Sequence, residues 1–287
     1  MSHFGQRLRA AIDAHGPLCV GIDPHSHLLA QWDLEVSAAG AREFGLRVVE
    51  AAAGRVGIIK PQVAFFERYG SVGYAALEDV LSAARAAGLI VIADAKRGDI
   101  GSTMEGYAAA WLTPGSPLEA DAVTLSPYLG PGSLHDTIMT AVGAGKGAFV
   151  LAATSNPEAV CVQSALTRDA SAGETVAARV VRDVMRIDRS ASGASAGAEL
   201  ASIGFVVGAT VDRHAVGLDD DALRGAPILA PGFGAQGAEP ADLERLFGAL
   251  SAQVVANESR SILSAGPAAL SRTMEVRAAA YAGSRGY

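Results

Sequence analysis

The chain has 287 residues, is 50% hydrophobic and carries a formal charge of −7, which suffices for one large core or two small ones. That acidic balance excludes a broad nucleic-acid surface, which needs clustered Lys and Arg, but leaves room for a small anionic ligand held by a local cluster. No apolar run reaches the roughly 18 residues of a membrane span. The first residues carry Arg7 and Arg9 in an amphipathic pattern and lack the apolar core of a signal peptide. Cys19 and Cys161 are too few for a disulfide framework, and their apolar surroundings predict reduced, buried thiols in a cytoplasmic protein.

Eight short apolar runs recur along the chain. Leu18–Asp23 ends in an acid before Pro24, and Gly57–Lys60 ends in a base before Pro61. Ile90–Lys96, Ala122–Ser126 and Ala148–Thr154 follow, then Phe205–Thr210, Pro227–Gly232 and Gln253–Asn257. Between them lie helical patterns, among them Glu43–Ala53, Val72–Ala87, Thr175–Ile187, Ala241–Leu250 and Pro267–Ala280. Gly88 sits where a helix stop prefers glycine, and Pro240 where a helix start prefers proline. Strands alternating with helices on short connections predict parallel βαβ units in an α/β fold, and eight of them favour a closed (β/α)8 TIM barrel over an open doubly wound sheet. No composition break marks a second domain, so residues 1–287 are read as one barrel domain. The connection Ser155–Ser202 is too long for one crossover. Its Ser190–Gly197 core is low in complexity and is expected to be a mobile surface loop with no chemistry assigned to it.

The third run is the richest in charge. Ile90-Val91-Ile92 leads directly into Asp94, Lys96 and Asp99. Residues two apart on a strand share a face, so Asp94 and Lys96 should point together toward whatever the strand's C-terminal end faces. Burying a carboxylate and an ammonium costs several kcal/mol each unless they are paired, and an intra-strand ion pair is the plain reading of those two residues alone. Asp99, after Gly98, makes the segment look like a polar site. Sites in such barrels assemble at the C-terminal ends of strands. The ends here offer Asp23, Lys60, Asp94 with Lys96, Ser126, Thr154, the Pro231–Gln236 loop and Arg260. A lone polar residue at a strand end is ordinarily a cap or a solvated turn, but two lysines and two aspartates at three neighbouring ends suggest function.

Toward the end of the chain, Gly232–Gly237 offers backbone N–H groups and the Gln236 amide. Asn257-Glu258-Ser259-Arg260 runs from a strand into a predicted helix, which places Ser259 and Arg260 near a helix N-terminus. Backbone donors, an arginine and a helix dipole together favour a phosphate. His25-Ser26-His27 has the spacing that opens some metal sites, but strands five to eight end without a histidine and His214 falls in a loop well past strand six. No metal ligand is assigned.

Asp94-Ala95-Lys96-Arg97-Gly98-Asp99-Ile100-Gly101-Ser102-Thr103 resembles the D-x-K-x-x-D-[IV]-x-x-T signature of the orotidine 5′-phosphate decarboxylase family. Gly21-Ile22-Asp23, Ile59-Lys60-Pro61-Gln62, Leu125-Ser126-Pro127-Tyr128, Ala230–Gln236 and Ser259–Ile262 fall in that family's order. Phe65–Gly70 and Ser155-Asn156-Pro157 resemble its longer bacterial branch. The resemblance spans about Arg7 to Leu263. It implies a (β/α)8 barrel that converts orotidine 5′-monophosphate to UMP and carbon dioxide without a metal or organic cofactor. It also implies Lys96 as the proton donor, with Asp94, Asp99 and Lys60 around it. Asp23 and Lys60 would meet the ribose, Ser126 the pyrimidine edge, and Gln236, Ser259 and Arg260 the phosphate end. Asp99, Ile100 and Thr103 would reach into a neighbouring subunit's site, which implies a homodimer. The nearest alternative is a metal-dependent sugar-phosphate decarboxylase or epimerase on a related barrel, which would need acidic ligands at the ends of strands two or four. A silent nucleotide-phosphate binding protein and a metal-dependent amidohydrolase resting on His25 and His27 are more distant readings.

Overall fold

A computed structural model describes residues 2–168, 173–192 and 200–283. The eight apolar runs form eight parallel strands: β1 Leu18–Ile22, β2 Ile58–Pro61, β3 Ile90–Arg97, β4 Ala122–Leu125, β5 Gly147–Ala153, β6 Ile203–Val207, β7 Ile228–Pro231 and β8 Val254–Glu258. Each pairs with its sequence neighbour, and β8 returns to β1, with Leu18 beside Ala256 and Cys19 beside Asn257. The sheet is therefore a closed (β/α)8 barrel and not an open doubly wound sheet. Closure leaves no strand edge to protect.

The period-two alternation of strand side chains divides each strand between two cores. Leu18, Val20 and Ile22 of β1, with Val91, Ala93 and Ala95 of β3, face outward and pack under the surrounding helices. Cys19, Ile58, Ile90, Ile92, Ala122, Phe149, Val206, Leu229 and Val255 face inward and fill the lower barrel. The N-terminal helix Phe4–His15 closes that floor with Phe4, Leu8 and Ile12, all buried, and the Phe4 ring meets Phe149 edge-on at 6.1 Å. At the other end, the same inward phase delivers polar side chains.

The helices differ from expectation mostly at their ends. Ala38–Ala52 begins five residues earlier than its apolar pattern because Ser37 caps it, accepting from Gly40 N. Ser71–Ala86 and Leu270–Gly283 lie close to the predicted spans, whereas the Ala241–Leu250 pattern is broken into the helix Leu243–Phe247 flanked by 3-10 turns. In the long connection after β5, a 3-10 turn Pro157–Ala159 and a one-turn helix Val160–Gln163 precede the long helix Val176–Ser192. That last helix buries Ala177, Val180, Val181, Val184 and Ile187 against the barrel. The serines at 190–192 extend it, and the rest of the low-complexity stretch lies outside the described residues.

One expectation is corrected here. Cys19 is buried, but Cys161 is exposed. Its apolar neighbours Val160 and Val162 are exposed as well, since the segment is a single turn on the outer surface and not part of a core element. Among the described residues no helix is long and apolar enough to cross a membrane.

Phe4→Ala should lower unfolding stability by about 3–5 kcal/mol, the usual cost of emptying a buried phenylalanine site, as read by urea denaturation. A loss well below this range would mean that the N-terminal helix is not a packed floor of the barrel.

Candidate active site

The inward phase at the strand tops gathers Asp23, Lys60, Asp94, Lys96, Thr124, Asn257 and Ser259 around a cavity of about 310 Å3. At its centre, Asp94 bridges two lysines. Its Oδ2 accepts from Lys60 Nζ at 2.8 Å and its Oδ1 from Lys96 Nζ at 2.5 Å. The side-chain exposures of Lys60 and Asp94 are 6% and 9%, against 46% for Lys96. The inner pair is thus sealed, while the outer ammonium faces the cavity mouth.

Burial disfavours the Lys60 ammonium, but Asp94 and then Asp23 outweigh that penalty and raise its pKa above the ordinary lysine value. Burial would likewise raise the Asp94 carboxyl, yet Lys60 and Lys96 hold it well below the usual carboxylate range. Beneath them, burial pushes the Cys19 thiol up to about 12, which leaves it neutral.

Lys96 also has an unusual backbone, with φ of +49°. A left-handed conformation costs a non-glycine residue about 1–2 kcal/mol and, where it persists, is held by its surroundings. Here the β3–β4 register shifts between Ala93 and Arg97, and Lys96 N donates to Thr124 Oγ1 at 2.9 Å. The Thr124 hydroxyl in turn donates to Asp94 Oδ1 at 3.0 Å. Thr124 therefore fixes both the backbone of Lys96 and the carboxylate it meets. Gln62 adds longer contacts, with Oε1 3.4 Å from Lys60 Nζ and Nε2 3.4 Å from Asp94 O.

On the adjoining wall, Asp23 Oδ2 accepts from Ser259 Oγ at 2.5 Å, while its buried Oδ1 has no hydrogen-bond partner among the described residues. Gly21 permits this approach, because a Cβ there would lie 2.7 Å from Ser259 Cβ. Gln236 and Arg260 also line the cavity, both exposed, and neither side chain forms a hydrogen bond among the described residues. The helix that begins at Arg260 is only four residues long, Arg260–Leu263. The dipole contribution expected there shrinks accordingly, and the side chains remain as the anion-seeking groups.

Several sequence-predicted residues lie elsewhere. Ser126 is half-buried just past β4 and does not line the cavity; Thr154 and Ser155, after β5, do. Strand β4 ends at Leu125, and Ser126 N is held by Arg97 O at 2.8 Å. Asp99, Ile100 and Thr103 also lie outside their own chain's cavity. Asp99 accepts from Ile100 N at 2.8 Å, and Thr103 is exposed on the helix Gly101–Leu112. Thr124, Gln62, Asn257 and Ser155 were missed, although extending the inward phase from Ala122 and Val255 points to Thr124 and Asn257. The His25 and His27 rings stack at 5.3 Å, and no group of three or more His, Cys, Asp or Glu among the described residues is arranged to hold a metal.

Fold and site together define a (β/α)8 barrel enzyme whose polar centre lies at the C-terminal ends of its strands. The chain belongs to the orotidine 5′-phosphate decarboxylase / HUMPS family, whose model matches residues 16–272. A curated orotidine 5′-phosphate decarboxylase of Streptomyces coelicolor is 51% identical over 272 residues, covering 93% of this chain and 92% of the relative. A crystal structure from Streptomyces avermitilis, described as that of a candidate orotidine 5′-phosphate decarboxylase, superposes with a TM-score of 0.90 at 48% identity. That match covers 99% of this chain and 96% of the other. The structure of Leishmania donovani OMP decarboxylase matches with a TM-score of 0.73 at 27% identity, covering 99% and 100%.

Asp94→Asn should cost about 3–5 kcal/mol at pH 7, as expected when one partner of a buried ion pair is removed. The Asp94 pKa is depressed by folding, so its contribution is present above its unfolded value of about 3.9 and is lost as pH falls toward the folded value. The stability gap between wild type and variant, measured by urea unfolding, should therefore narrow as pH is lowered through about 4. A gap that is constant or widening there would contradict the pairing.

Proposed function

We propose that this chain decarboxylates orotidine 5′-monophosphate to UMP and carbon dioxide, the last step of de novo UMP synthesis. The observation that carries this reading is the Lys60–Asp94–Lys96 charge chain at the centre of the cavity, in a member of this family.

The bond from C6 of the pyrimidine to its carboxylate breaks, and the electron pair stays on C6 with little delocalisation to help it. A fixed cation placed where that charge develops stabilises it more than it stabilises the substrate. The Lys96 ammonium, half-exposed at the mouth, supplies both the cation and the proton that C6 then takes. The resulting neutral amine regains a proton from solvent. Asp94 keeps Lys96 oriented, and Lys60 keeps Asp94 ionised. A substrate carboxylate set about 4 Å from Asp94 would be repelled by about 4 kcal/mol at an effective dielectric near 20, and that repulsion vanishes once neutral carbon dioxide forms. The ammonium provides the electrostatic work, so the reaction is assigned no metal or organic cofactor.

Asp23, whose Oδ1 is left without a partner among the described residues, and Lys60 bind the ribose hydroxyls. Ser155, in place of Ser126, meets the pyrimidine edge. Gln236 and Arg260 hold the phosphate, with Ser259 braced on Asp23 beside them. Remote binding of this kind fixes the reacting ring in place.

The protein acts as a homodimer in which Asp99, Ile100 and Thr103 complete the partner's site. The support is their position outside their own cavity, together with the exposure of the Ile100 side chain, 63%. A cytoplasmic location fits a biosynthetic enzyme with the relatives described above.

The decisive experiment follows ultraviolet absorbance after orotidine 5′-monophosphate is added to the protein, with and without EDTA, and repeats it with Lys96→Ala. Chelator-resistant turnover that falls by at least about 10²–10⁴-fold in the variant, the span of a lost proton donor, is expected. Folded wild-type protein without turnover would refute the assignment, and activity lost to the chelator would refute the metal-free mechanism.

A further inference from the structure

The two elements assigned to the substrate phosphate, the Pro231–Gln236 loop and the Ser259–Arg260 turn, rest on one buried support. Asn257 and Ser259 line the cavity, whereas Glu258 between them points outward and is fully buried at 0% exposure. Its carboxylate accepts from Arg277 Nε at 2.9 and 3.0 Å, from Arg277 Nη2 at 2.7 Å, from the Tyr281 hydroxyl at 2.7 Å and from Ser261 Oγ at 2.7 Å. Arg277 and Tyr281 both belong to the last helix, Leu270–Gly283.

The same cluster grips the loop. Arg277 Nη1 donates to Glu239 Oε2 at 2.9 Å, just past the loop's end, and the Phe233 ring packs edge-on against Tyr281 at 5.7 Å. Gly234 lies so close that a Cβ on it would overlap Ser261 Oγ and stand 2.8 Å from Glu258 Oε2, and its φ of +67° also favours glycine. The loop closes on itself through Gly234 N to Ala238 O at 2.7 Å and Ala238 N to Gly232 O at 3.2 Å. Ser261 directly follows Arg260, so one carboxylate is tied to both halves of the anion end.

We infer that Glu258, Ser261, Arg277 and Tyr281 form a clamp that positions Gln236 and Arg260 for the substrate's phosphate. This inference rests on the reading of that end as the phosphate site. The four are positioning residues and touch no substrate. Neither Gln236 nor Arg260 is held by a side-chain hydrogen bond of its own among the described residues, so the backbone beneath each sets where it points. A fully buried carboxylate whose oxygens are filled by hydrogen bonds from a part-buried guanidinium, a phenol and a serine is costly to disturb, which makes the clamp stiff.

The test measures dissociation constants for UMP and for uridine, which lacks the phosphate, in wild type, Ser261→Ala and Tyr281→Phe. Ser261→Ala removes the link beside Arg260, and Tyr281→Phe removes one hydroxyl while keeping the ring against Phe233. Each variant should weaken UMP about tenfold, the scale of one loosened charge-assisted hydrogen bond, while uridine stays within about twofold. Equal weakening of both ligands would reduce the cluster to a general structural role and overturn the inference, as would unchanged UMP affinity. Wild-type protein that binds UMP no more tightly than uridine would overturn both the clamp and the phosphate reading beneath it.

Discussion

A lysine and an aspartate buried side by side at the top of the barrel set the terms for everything around them. Each ion would cost several kcal/mol to bury alone, and they are tolerated because Lys60 and Asp94 meet at 2.8 Å with Lys96 on the other carboxylate oxygen. Adjacent parallel strands bring them together: β2 and β3 run side by side, and the inward phase of each carries one of the two charges. A closed barrel holds that register from both sides. Thr124 on the next strand then ties the carboxylate to the backbone of Lys96. The strained φ at Lys96 persists because these neighbours determine it.

The choice of cations follows the same division. The chain has three lysines, Lys60, Lys96 and Lys146, although Lys and Arg together number 23. Lys146 is paired with Glu119 at 2.7 Å near the opposite, N-terminal end of the barrel, where Arg7 also meets Asp121. Arginine, always charged and suited to forked ion pairs, serves at Glu258 and, as Arg260, at the rim of the cavity. A compact ammonium that can give up its proton is found in the cavity. Below this polar layer the barrel interior is apolar down to Phe4, and that layer separates the cavity charges from the ion pairs at the N-terminal end.

Much of this was legible in the residues. Eight apolar runs with helical patterns between them imply the barrel, and period two alone places Asp94 and Lys96 on one face. The sequence suggested Gln236 and Arg260 as cavity residues, which they are, but not the length of the helix after Ser259, because a single turn and a long helix begin alike. Neutral polar residues were harder. Thr124 reads as an ordinary β-branched strand residue, and Asn257 as a strand end, until the phase of the pleat shows which way each points. Ser126 and Ser155 follow similar strands and differ only in where the chain turns next. Glu258 gave no signal at all, since its partners Arg277 and Tyr281 lie a helix away.

The most direct test of the charge chain is a pH titration of the lysine side-chain nitrogens by 15N NMR, made tractable by the presence of only three lysines. Lys60 Nζ should remain an ammonium beyond the ordinary lysine midpoint of about 10.4, because Asp94 and Asp23 outweigh its burial. A Lys60 that loses its proton below that midpoint would contradict the charge chain and, with it, the proposed role of Asp94 between the two ammonium groups.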